Sequence, residues 1–258
     1  MKPSIIFFGN GPLADYTLEV LSDSCNILFH ARTKEDLATV KSLKSEHPEA
    51  HGILASFGVM VKSDVLNLFE PEGILNIHPS LLPDLRGPSP IESAILRGDT
   101  SFSVSVMKLV RTMDAGPVFY QTTLENLPLD KTSIYRALAT TGATWLVEHL
   151  SALPTPIEQS GEPTFCAKFD KSMSLLTPET DSASVTYRKI VAFQGFPKPK
   201  YTFFGQNCII LEAHPLEVGE TALLPLTCSD GQILAIDRLQ PENKRPMDAK
   251  SLLNGYGK

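Results

Sequence analysis

The sequence lacks any apolar run long enough to cross a membrane, and its start, MKPSIIFFGNGP, breaks at Gly and Pro before a signal-peptide core could form. Its 4 cysteines are scattered without a Cys-x-x-Cys pair, so the usual zinc and dithiol motifs are missing. Positive charge is also scarce, because 23 Lys and Arg face 29 Asp and Glu. These deficits predict a cytoplasmic globular protein with reduced thiols and no metal, and they argue against a surface that binds nucleic acid throughout.

Apolar residues are plentiful, at 42% of 258 residues, which is enough for one large core or two smaller ones. Up to residue 150, short apolar runs alternate with helical patterns, which is typical of strand–helix units that build a parallel sheet. We therefore predict an α/β domain with a mostly parallel sheet. The predicted strands are 4–8, 26–30, 52–56, 73–77, 102–110 and 118–124, and the predicted helices are 33–45, 62–69 and 131–150.

For two of these elements, the sequence also predicts which residues are buried. The strand 102–110 alternates Phe and Val with Ser and Met, which indicates that only one face is buried. In the helix 131–150, the spacing predicts a buried face made of Ile134, Leu138, Thr141 and Trp145.

The composition changes at Ser151. Residues 151–165, SALPTPIEQSGEPTF, are rich in proline and have little periodicity, which predicts an extended linker. One helical pattern at 182–193 then precedes strand-like runs at 204–214, 220–228 and 231–239. The sequence thus predicts a catalytic domain at 1–150, a linker at 151–165 and a small β-rich domain, an OB-like barrel, at 166–258.

The first glycine cluster, GNGPLA, matches the dinucleotide fingerprint G-x-G-x-x-A between a strand and a helix. A dinucleotide site also needs an acidic residue at the end of the second strand, where this chain has His30, Ala31 and Arg32. We therefore interpret the cluster as a tight structural turn.

The stretch NIHPSLLPDLRGPSP, from Asn76 to Pro90, follows an apolar strand directly. Asn76 and His78 are two positions apart, so both side chains leave a strand on the same face. Ligands in such sheets lie beyond the carboxyl ends of the strands. The turn MDAGP after the next long strand adds the carboxylate of Asp114. Each residue alone is more often structural, but the joint pattern indicates one pocket.

NIHPSLLPDLRGPSPIESAILRGD followed by MDAGPV resembles the folate-dependent formyltransferase family, whose catalytic domain is Rossmann-like. SFGVMVKSDVLN is similar to the family's loop and helix that line the pterin pocket. PTPIEQSGEPTFCAKFDKS and SVTYRKIVAFQGFPKP resemble the linker and second-domain start of the members that formylate methionyl-tRNA. The resemblance covers most of the chain.

This resemblance implies 10-formyltetrahydrofolate as co-substrate and no metal. Formyl transfer to an amine passes through a tetrahedral oxyanion, so the site needs a hydrogen-bond donor and an acceptor for the amine proton. Asn76 fits the first need because its amide donates without titrating. His78 fits oxyanion stabilisation with proton exchange, and Asp114 would orient the imidazole.

The resemblance also implies two sets of binding residues. The folate would be held by Ser80, Leu81, Leu82 and Pro83 on one wall and by Phe57, Gly58, Val59 and Val61 on the other. The acceptor, methionyl-initiator-tRNA, would be contacted by Gly11, Arg86 and Gly87 and by the second-domain residues Arg188, Lys189, Lys198 and Lys200.

The identity of the acceptor remains open at this point. The tRNA-specific members carry a long basic loop after the second strand, and in residues 31–51 of this chain the basic residues are offset by acidic ones. The linker and the two-domain layout favour a monomeric enzyme acting on methionyl-tRNA. The missing loop favours a small amine, such as an amino-sugar nucleotide or a glycinamide ribotide, and a folate-binding hydrolase is the third alternative.

Overall fold

The computed structural model describes residues 2–166 and 168–256. The chain divides into two compact units, the first comprising Met1–Ala94 and Thr100–Cys166 and the second Ile95–Asp99 and Ala167–Lys258. In the described part of the chain, no helix has both the length and the apolar character needed to traverse a bilayer.

The sheet of the first unit has the strand order β2-β1-β3-β4-β5-β6. Strands β1 to β4 run parallel, whereas β5 and β6 are antiparallel to their neighbours. The predicted α/β class, with a Rossmann-like and mostly parallel sheet, is therefore confirmed. The strands are β1 (Ser4–Gly9), β2 (Asn26–Ala31), β3 (His51–Ala55), β4 (Ile74–His78), β5 (Ser101–Lys108) and β6 (Val118–Glu125).

The helices between and after these strands are α1 (Pro12–Ser24), α2 (Asp36–Glu46), α3 (Ser63–Leu66), α4 (Pro90–Arg97) and α5 (Lys131–His149), and a 3-10 turn (Asn67–Phe69) continues α3. The element α4 has no counterpart among the sequence-based predictions. Its first residue is a proline, which suits the first turn of a helix but looks like a helix breaker beside the other prolines of this stretch.

One face of the sheet packs against α5 at a glycine. A Cβ built at Gly142 would lie 2.9 Å from Ile77 Cγ2 and 3.3 Å from Val104 Cγ2, so the helix approaches the sheet closely there. Because of this close approach, the small residues of α5 have to face the sheet. The buried face of the helix is therefore rotated relative to the predicted one. Thr141 and Trp145 are only half-buried, and the buried residues are Ile134, Leu138, Ala139, Gly142, Ala143 and Leu146.

The opposite face has a hydrophobic core in its first half, where Ile6, Phe8 and Ile74 pack with residues of α2 and α3. Its second half lies under the loop that follows β4. Ser105 and Met107, on this face of β5, are both fully buried. The prediction that this strand is buried on one face only was therefore wrong, since the pattern of a strand does not show which loop will cover it.

The second unit contains α6 (Ala183–Ala192) and an antiparallel sheet of order β11-β10-β8-β7, with β9 paired to β10. This agrees with the predicted small, OB-like β-rich domain. A core of buried aliphatic residues, including Ile190, Ile210 and Leu234, fills it. The remaining elements are β7 (Lys200–Phe203), β8 (Gln206–Pro215), β9 (Pro225–Thr227), β10 (Ile233–Pro241), β11 (Met247–Asp248) and α7 (Ala249–Tyr256).

The run predicted as a strand at 204–214 begins with a turn. Phe204 and Gly205 have φ of 49° and 73° and connect β7 to β8 as a two-residue hairpin. Such turns need positive φ at both central residues, and Asn-Gly is their usual sequence signal. Phe-Gly does not carry that signal, which is why β7 was missed.

Close packing accounts for Gly9, the first residue of the glycine cluster. A Cβ at this position would lie 2.3 Å from Ala55 O and 2.7 Å from Ala14 Cβ, so β1, β3 and α1 meet where no side chain fits. Gly11 differs, since its φ of 78° is a left-handed conformation and nothing lies within 4 Å of a Cβ built on it.

We expect Gly9→Ala to lower the free energy of unfolding by about 1–3 kcal/mol, because the added methyl must push backbone apart. Gly255→Ala in α7 is the matched control, since a Cβ there meets nothing within 4 Å and alanine favours a helix. Urea denaturation followed by circular dichroism measures both. A Gly9→Ala protein as stable as the wild type would show that the packing can relax at no cost.

Candidate active site

Strand β4 carries two polar side chains out of the hydrophobic core. Ile74 lies in that core, and Asn76 and His78 follow it on the same face by strand alternation. They remain buried, with 4% and 5% of their surfaces exposed. Buried polar groups need hydrogen-bond partners, so their contacts define the chemistry available here.

Asp114 faces both residues. Asn76 Nδ2 lies 3.5 Å from Asp114 Oδ1, and His78 Nδ1 lies 3.7 Å from Asp114 Oδ2. The structure thus brings together the three residues that the sequence proposes as catalytic, although Asp114 is 38 residues from Asn76 along the chain. Only 12% of the Asp114 side chain is exposed, which places the carboxylate inside the site rather than in bulk water.

The surroundings of His78 assign different roles to its two ring nitrogens. Nε2 lies 3.0 Å from Leu85 O, and a carbonyl can only accept, so Nε2 carries a hydrogen. This contact leaves Nδ1 as the nitrogen that faces Asp114. The bond to Leu85 therefore keeps the ring oriented, with Nδ1 on the side of the carboxylate.

Asp114 also holds the loop that contains Arg86 and Gly87. The Gly87 N–H donates to Asp114 Oδ2 over 2.8 Å. Gly87 has a φ of 122°, and a Cβ there would lie 3.3 Å from Cys166 Cβ. Glycine therefore lets this backbone turn its N–H toward the carboxylate.

A buried network that sequence reasoning missed fixes the S-L-L-P segment. Ser105 Oγ donates to Ser80 O over 2.6 Å and accepts from Leu82 N–H over 3.2 Å. Gln121 Nε2 donates to Leu82 O over 2.8 Å and to Ser105 Oγ over 2.9 Å. The hydroxyl thus uses its one donor and both acceptor positions. The only sequence signal was a serine and a glutamine in two adjacent strands.

The residues proposed to bind folate divide into two groups. Leu82, Phe57 and Val61 are buried in the hydrophobic cores and support the loops from beneath. Leu81 is 46% exposed, and nothing lies within 4 Å of a Cβ built on Gly58. The members of the second group, Leu81, Gly58, Val59 and Pro83, are at least partly exposed and leave surface for a ligand. Ser80 belongs with the supports, because it is buried and its hydroxyl donates to Asp84 O.

The segment predicted as a linker is bonded to the active-site loop. Thr164 Oγ1 accepts from Leu85 N–H over 2.8 Å, and Thr164 O accepts from Arg86 N–H over 2.9 Å. Cys166 N–H then donates to Arg86 O over 2.8 Å. Burial raises the pKa of the Cys166 thiol, which therefore remains protonated and lies 3.1 Å from Leu85 O. Thr164 could not be found from the sequence, because its partners are about eighty residues away.

The connection between β2 and α2 is short, at residues 32–35. Asp36 Oδ2 accepts from the backbone N–H groups of Arg32 and Thr33 over 2.7 and 2.8 Å, and these bonds lower the pKa of the carboxyl group. No long basic loop can be formed by these residues.

The four cations proposed in the second unit differ in their partners. Arg188 Nη1 donates to Ser184 Oγ over 2.9 Å, and Lys189 Nζ pairs with Asp181 Oδ2 at 2.5 Å. Lys198 and Lys200 are exposed. Within residues 2–166 and 168–256, no cluster of three or more His, Cys, Asp or Glu side chains could hold a metal ion.

The chain matches known proteins along most of its length. Residues 13–150 match the formyl transferase family, and residues 170–257 match the formyl transferase C-terminal domain. Methionyl-tRNA formyltransferase of Thermus thermophilus is 32% identical over 244 residues, which cover 90% of this chain and 78% of that protein.

The fold is shared with several solved structures. Methionyl-tRNA formyltransferase from Clostridium thermocellum is 18% identical, with a TM-score of 0.69 over 93% of this chain and 99% of that one. HypX from Aquifex aeolicus, in complex with tetrahydrofolic acid, is 19% identical, with a TM-score of 0.73. That match covers 99% of this chain and 47% of HypX, so the chain spans about half of HypX.

We expect Ser105→Ala to destabilise the protein by about 1–3 kcal/mol, because it leaves the buried Leu82 N–H and Ser80 C=O without their partner. Ser103→Ala is the matched control on the same strand, since Ser103 Oγ bonds to the side chain of Thr123 at an exposed position rather than to buried backbone groups. The control should change stability by no more than about 0.5 kcal/mol. Urea denaturation measures both, and equal effects would mean that the network contributes nothing.

Proposed function

The chain belongs to the formyl transferase family, and from that premise we propose that it transfers the formyl group of 10-formyltetrahydrofolate to the amino group of methionyl-initiator-tRNA. The observation that carries the chemistry is the Asp114 carboxylate facing both the Asn76 amide and His78 Nδ1. The acceptor is supported by the similarity to a methionyl-tRNA formyltransferase, which extends over 90% of the chain.

In this reaction a bond forms between the amine nitrogen and the formyl carbon, and the bond from that carbon to N10 of the folate breaks. The formyl oxygen carries negative charge in between, so a fixed donor at that oxygen lowers the barrier. Asn76 supplies this donor. One N–H of its amide points toward Asp114 Oδ1 at 3.5 Å, and the amide has a second N–H for the substrate.

The proton that the amine loses needs a carrier to N10. His78 Nδ1 and Asp114 form this carrier, since the two groups face each other over 3.7 Å and both lie beside Asn76. While His78 holds the proton, its positive charge also stabilises the oxyanion. The buried position strengthens this attraction because little water screens it.

The folate would lie against the accessible apolar residues of the site. Leu81, Val59 and Gly58 offer surface to the pterin, and Ser80 and Pro83 belong to a segment whose backbone the Ser105 network holds rigid. Phe57, Val61 and Leu82 would act from beneath as buried supports.

The acceptor would enter beside Arg86, Gly87 and the open turn at Gly11. In the second unit, Lys198 and Lys200 are the better phosphate contacts because their side chains are exposed. Arg188 and Lys189 could serve only by giving up Ser184 and Asp181. A small amine is the second candidate acceptor, and the short connection at residues 32–35 favours it.

The test is formyl transfer from 10-formyltetrahydrofolate to methionyl-tRNA charged in vitro, beside a panel of amino-sugar nucleotides and glycinamide ribotide. We expect formylated methionyl-tRNA, detected by its resistance to deacylation, and no formylated small amine. Transfer to a small amine alone would replace the acceptor that we propose. Formate released without any acceptor would instead show a hydrolase.

His78→Ala should lower kcat by roughly two to four orders of magnitude, because it removes the proton carrier and its charge. Folate binding, measured by isothermal titration calorimetry, should change little. His47→Ala is the matched control, since His47 lies at the end of α2, away from Asn76 and Asp114, and its side chain is 40% exposed and pairs with Glu49. Loss of cooperative unfolding in His78→Ala would assign a structural role to His78 instead.

A further inference from the structure

We propose that Gln159 is a positioning residue for the transfer step, because its carboxamide fixes the Asp114 turn against the Arg86–Gly87 loop. The inference deepens the proposed function and rests on it. Gln159 lies in the proline-rich segment between the two predicted domains, and its side chain bonds to Arg86, Asp114 and Gly116 rather than to Asn76 or His78.

The carboxamide of Gln159 uses its full hydrogen-bonding capacity. Nε2 donates to Asp114 O and to Gly116 O, each over 2.8 Å. Oε1 accepts from Arg86 Nε over 3.2 Å and from Arg86 Nη2 over 2.7 Å. Two donors and two acceptor positions are thus engaged, which is all that a glutamine side chain offers.

The turn that Gln159 holds has an unfavourable backbone. Asp114 has a φ of 49°, in the left-handed region that residues other than glycine rarely adopt. Gly116 follows, and a Cβ there would lie 1.9 Å from Lys108 O, so the turn is folded tightly onto the end of β5. Donation to the carbonyls of Asp114 and Gly116 helps to keep this turn in the conformation that aims the carboxylate at His78.

Gln159 also completes a second connection between the two active-site loops. The first runs through the Asp114 side chain to Gly87 N–H. The second runs from Asp114 O through Gln159 to the Arg86 guanidinium. Because Leu85, the residue before Arg86, orients His78 through its carbonyl, both connections act on the 3.7 Å separation between His78 and Asp114.

The backbone around Gln159 is itself anchored to the first unit. On one side, Ile157 exchanges two hydrogen bonds with Val118, of 2.7 and 2.8 Å. On the other, Thr164 and Cys166 pair with Arg86. The carboxamide is therefore carried by a segment that is fixed on both sides, which is what a positioning residue needs, since a small displacement of a reacting group is enough to slow a reaction.

Two variants of Gln159 distinguish the donor from the acceptor of its carboxamide. Gln159→Glu keeps an acceptor for Arg86 but replaces the donor with an oxygen that faces two carbonyl oxygens. Gln159→Ala removes both the donor and the acceptor. Glu158→Ala is the matched control, because Glu158 is exposed on the same segment.

We expect both Gln159 variants to lower kcat by roughly 10- to 100-fold, with KM for 10-formyltetrahydrofolate within about twofold of the wild type. Glu158→Ala should behave as the wild type. The folate-binding stoichiometry of each full-length protein gives its folded fraction. If kcat and that stoichiometry fall together, or if kcat does not change, the positioning role is overturned.

A readout that does not depend on the reaction separates this inference from the proposed function. Hydrogen exchange at the Gly87 amide, which is bonded to Asp114, should accelerate by at least about tenfold in both Gln159 variants and not in Glu158→Ala. Unchanged exchange overturns the inference even if the enzyme is active. If the wild type transfers no formyl group to any acceptor but exchange is accelerated in the variants, the proposed reaction is contradicted and the positioning role of Gln159 is not.

Discussion

The site depends on one carboxylate that serves two loops at once. Asp114 Oδ2 accepts the Gly87 N–H and lies 3.7 Å from His78 Nδ1, and Asp114 Oδ1 faces the Asn76 amide. The two oxygens of a carboxylate offer about four lone-pair positions, which is enough for these partners. The carboxylate that faces His78 therefore also holds the Arg86–Gly87 loop in place. Chemistry and loop geometry are coupled through a single group, so any change that moves the carboxylate affects both.

The reversal of direction at β5 explains how that carboxylate reaches Asn76 and His78. Had β5 been parallel to β4, its following turn would lie at the carboxyl end of β4. Because the pair is antiparallel, Lys108 lies beside Leu75, and the turn must fold back over the sheet to bring Asp114 to Asn76. The residues of this turn are not paired with a strand, so their path depends on local backbone conformation. That path requires glycine at 116 and a left-handed conformation at 114. The covering loops in turn bury Ser105, whose hydroxyl then has to be satisfied.

Periodicity predicted the strands of the first unit to within one or two residues, because the residues of each strand are buried together and therefore form a continuous hydrophobic run. The joint motif also predicted Asn76, His78 and Asp114 as neighbours, and the structure brings them together. Ser105, Gln121, Thr164 and Gln159 escaped prediction because the partners of their side chains lie 16 to 80 residues away, and many of these partners are backbone groups, which carry no mark in a sequence. The buried face of α5 was misjudged for a related reason, since spacing alone cannot show that the sheet approaches closely enough to require Gly142.

The distribution of charge limits how this protein can recognise a polyanionic acceptor. The proposed catalytic residues lie in the first unit, but the sequence of this unit is acidic, and the connection at 32–35 is closed by Asp36 rather than extended into a basic loop. Long-range attraction to phosphate therefore has to come from the second unit, where basic and acidic residues are nearly balanced. A few exposed lysines in such a balanced surface give modest affinity that weakens with salt. Discrimination between acceptors would then depend on contacts close to the transferred group, where Arg86 and Gly87 are held by Thr164, Gln159 and Asp114, more than on a large electrostatic surface.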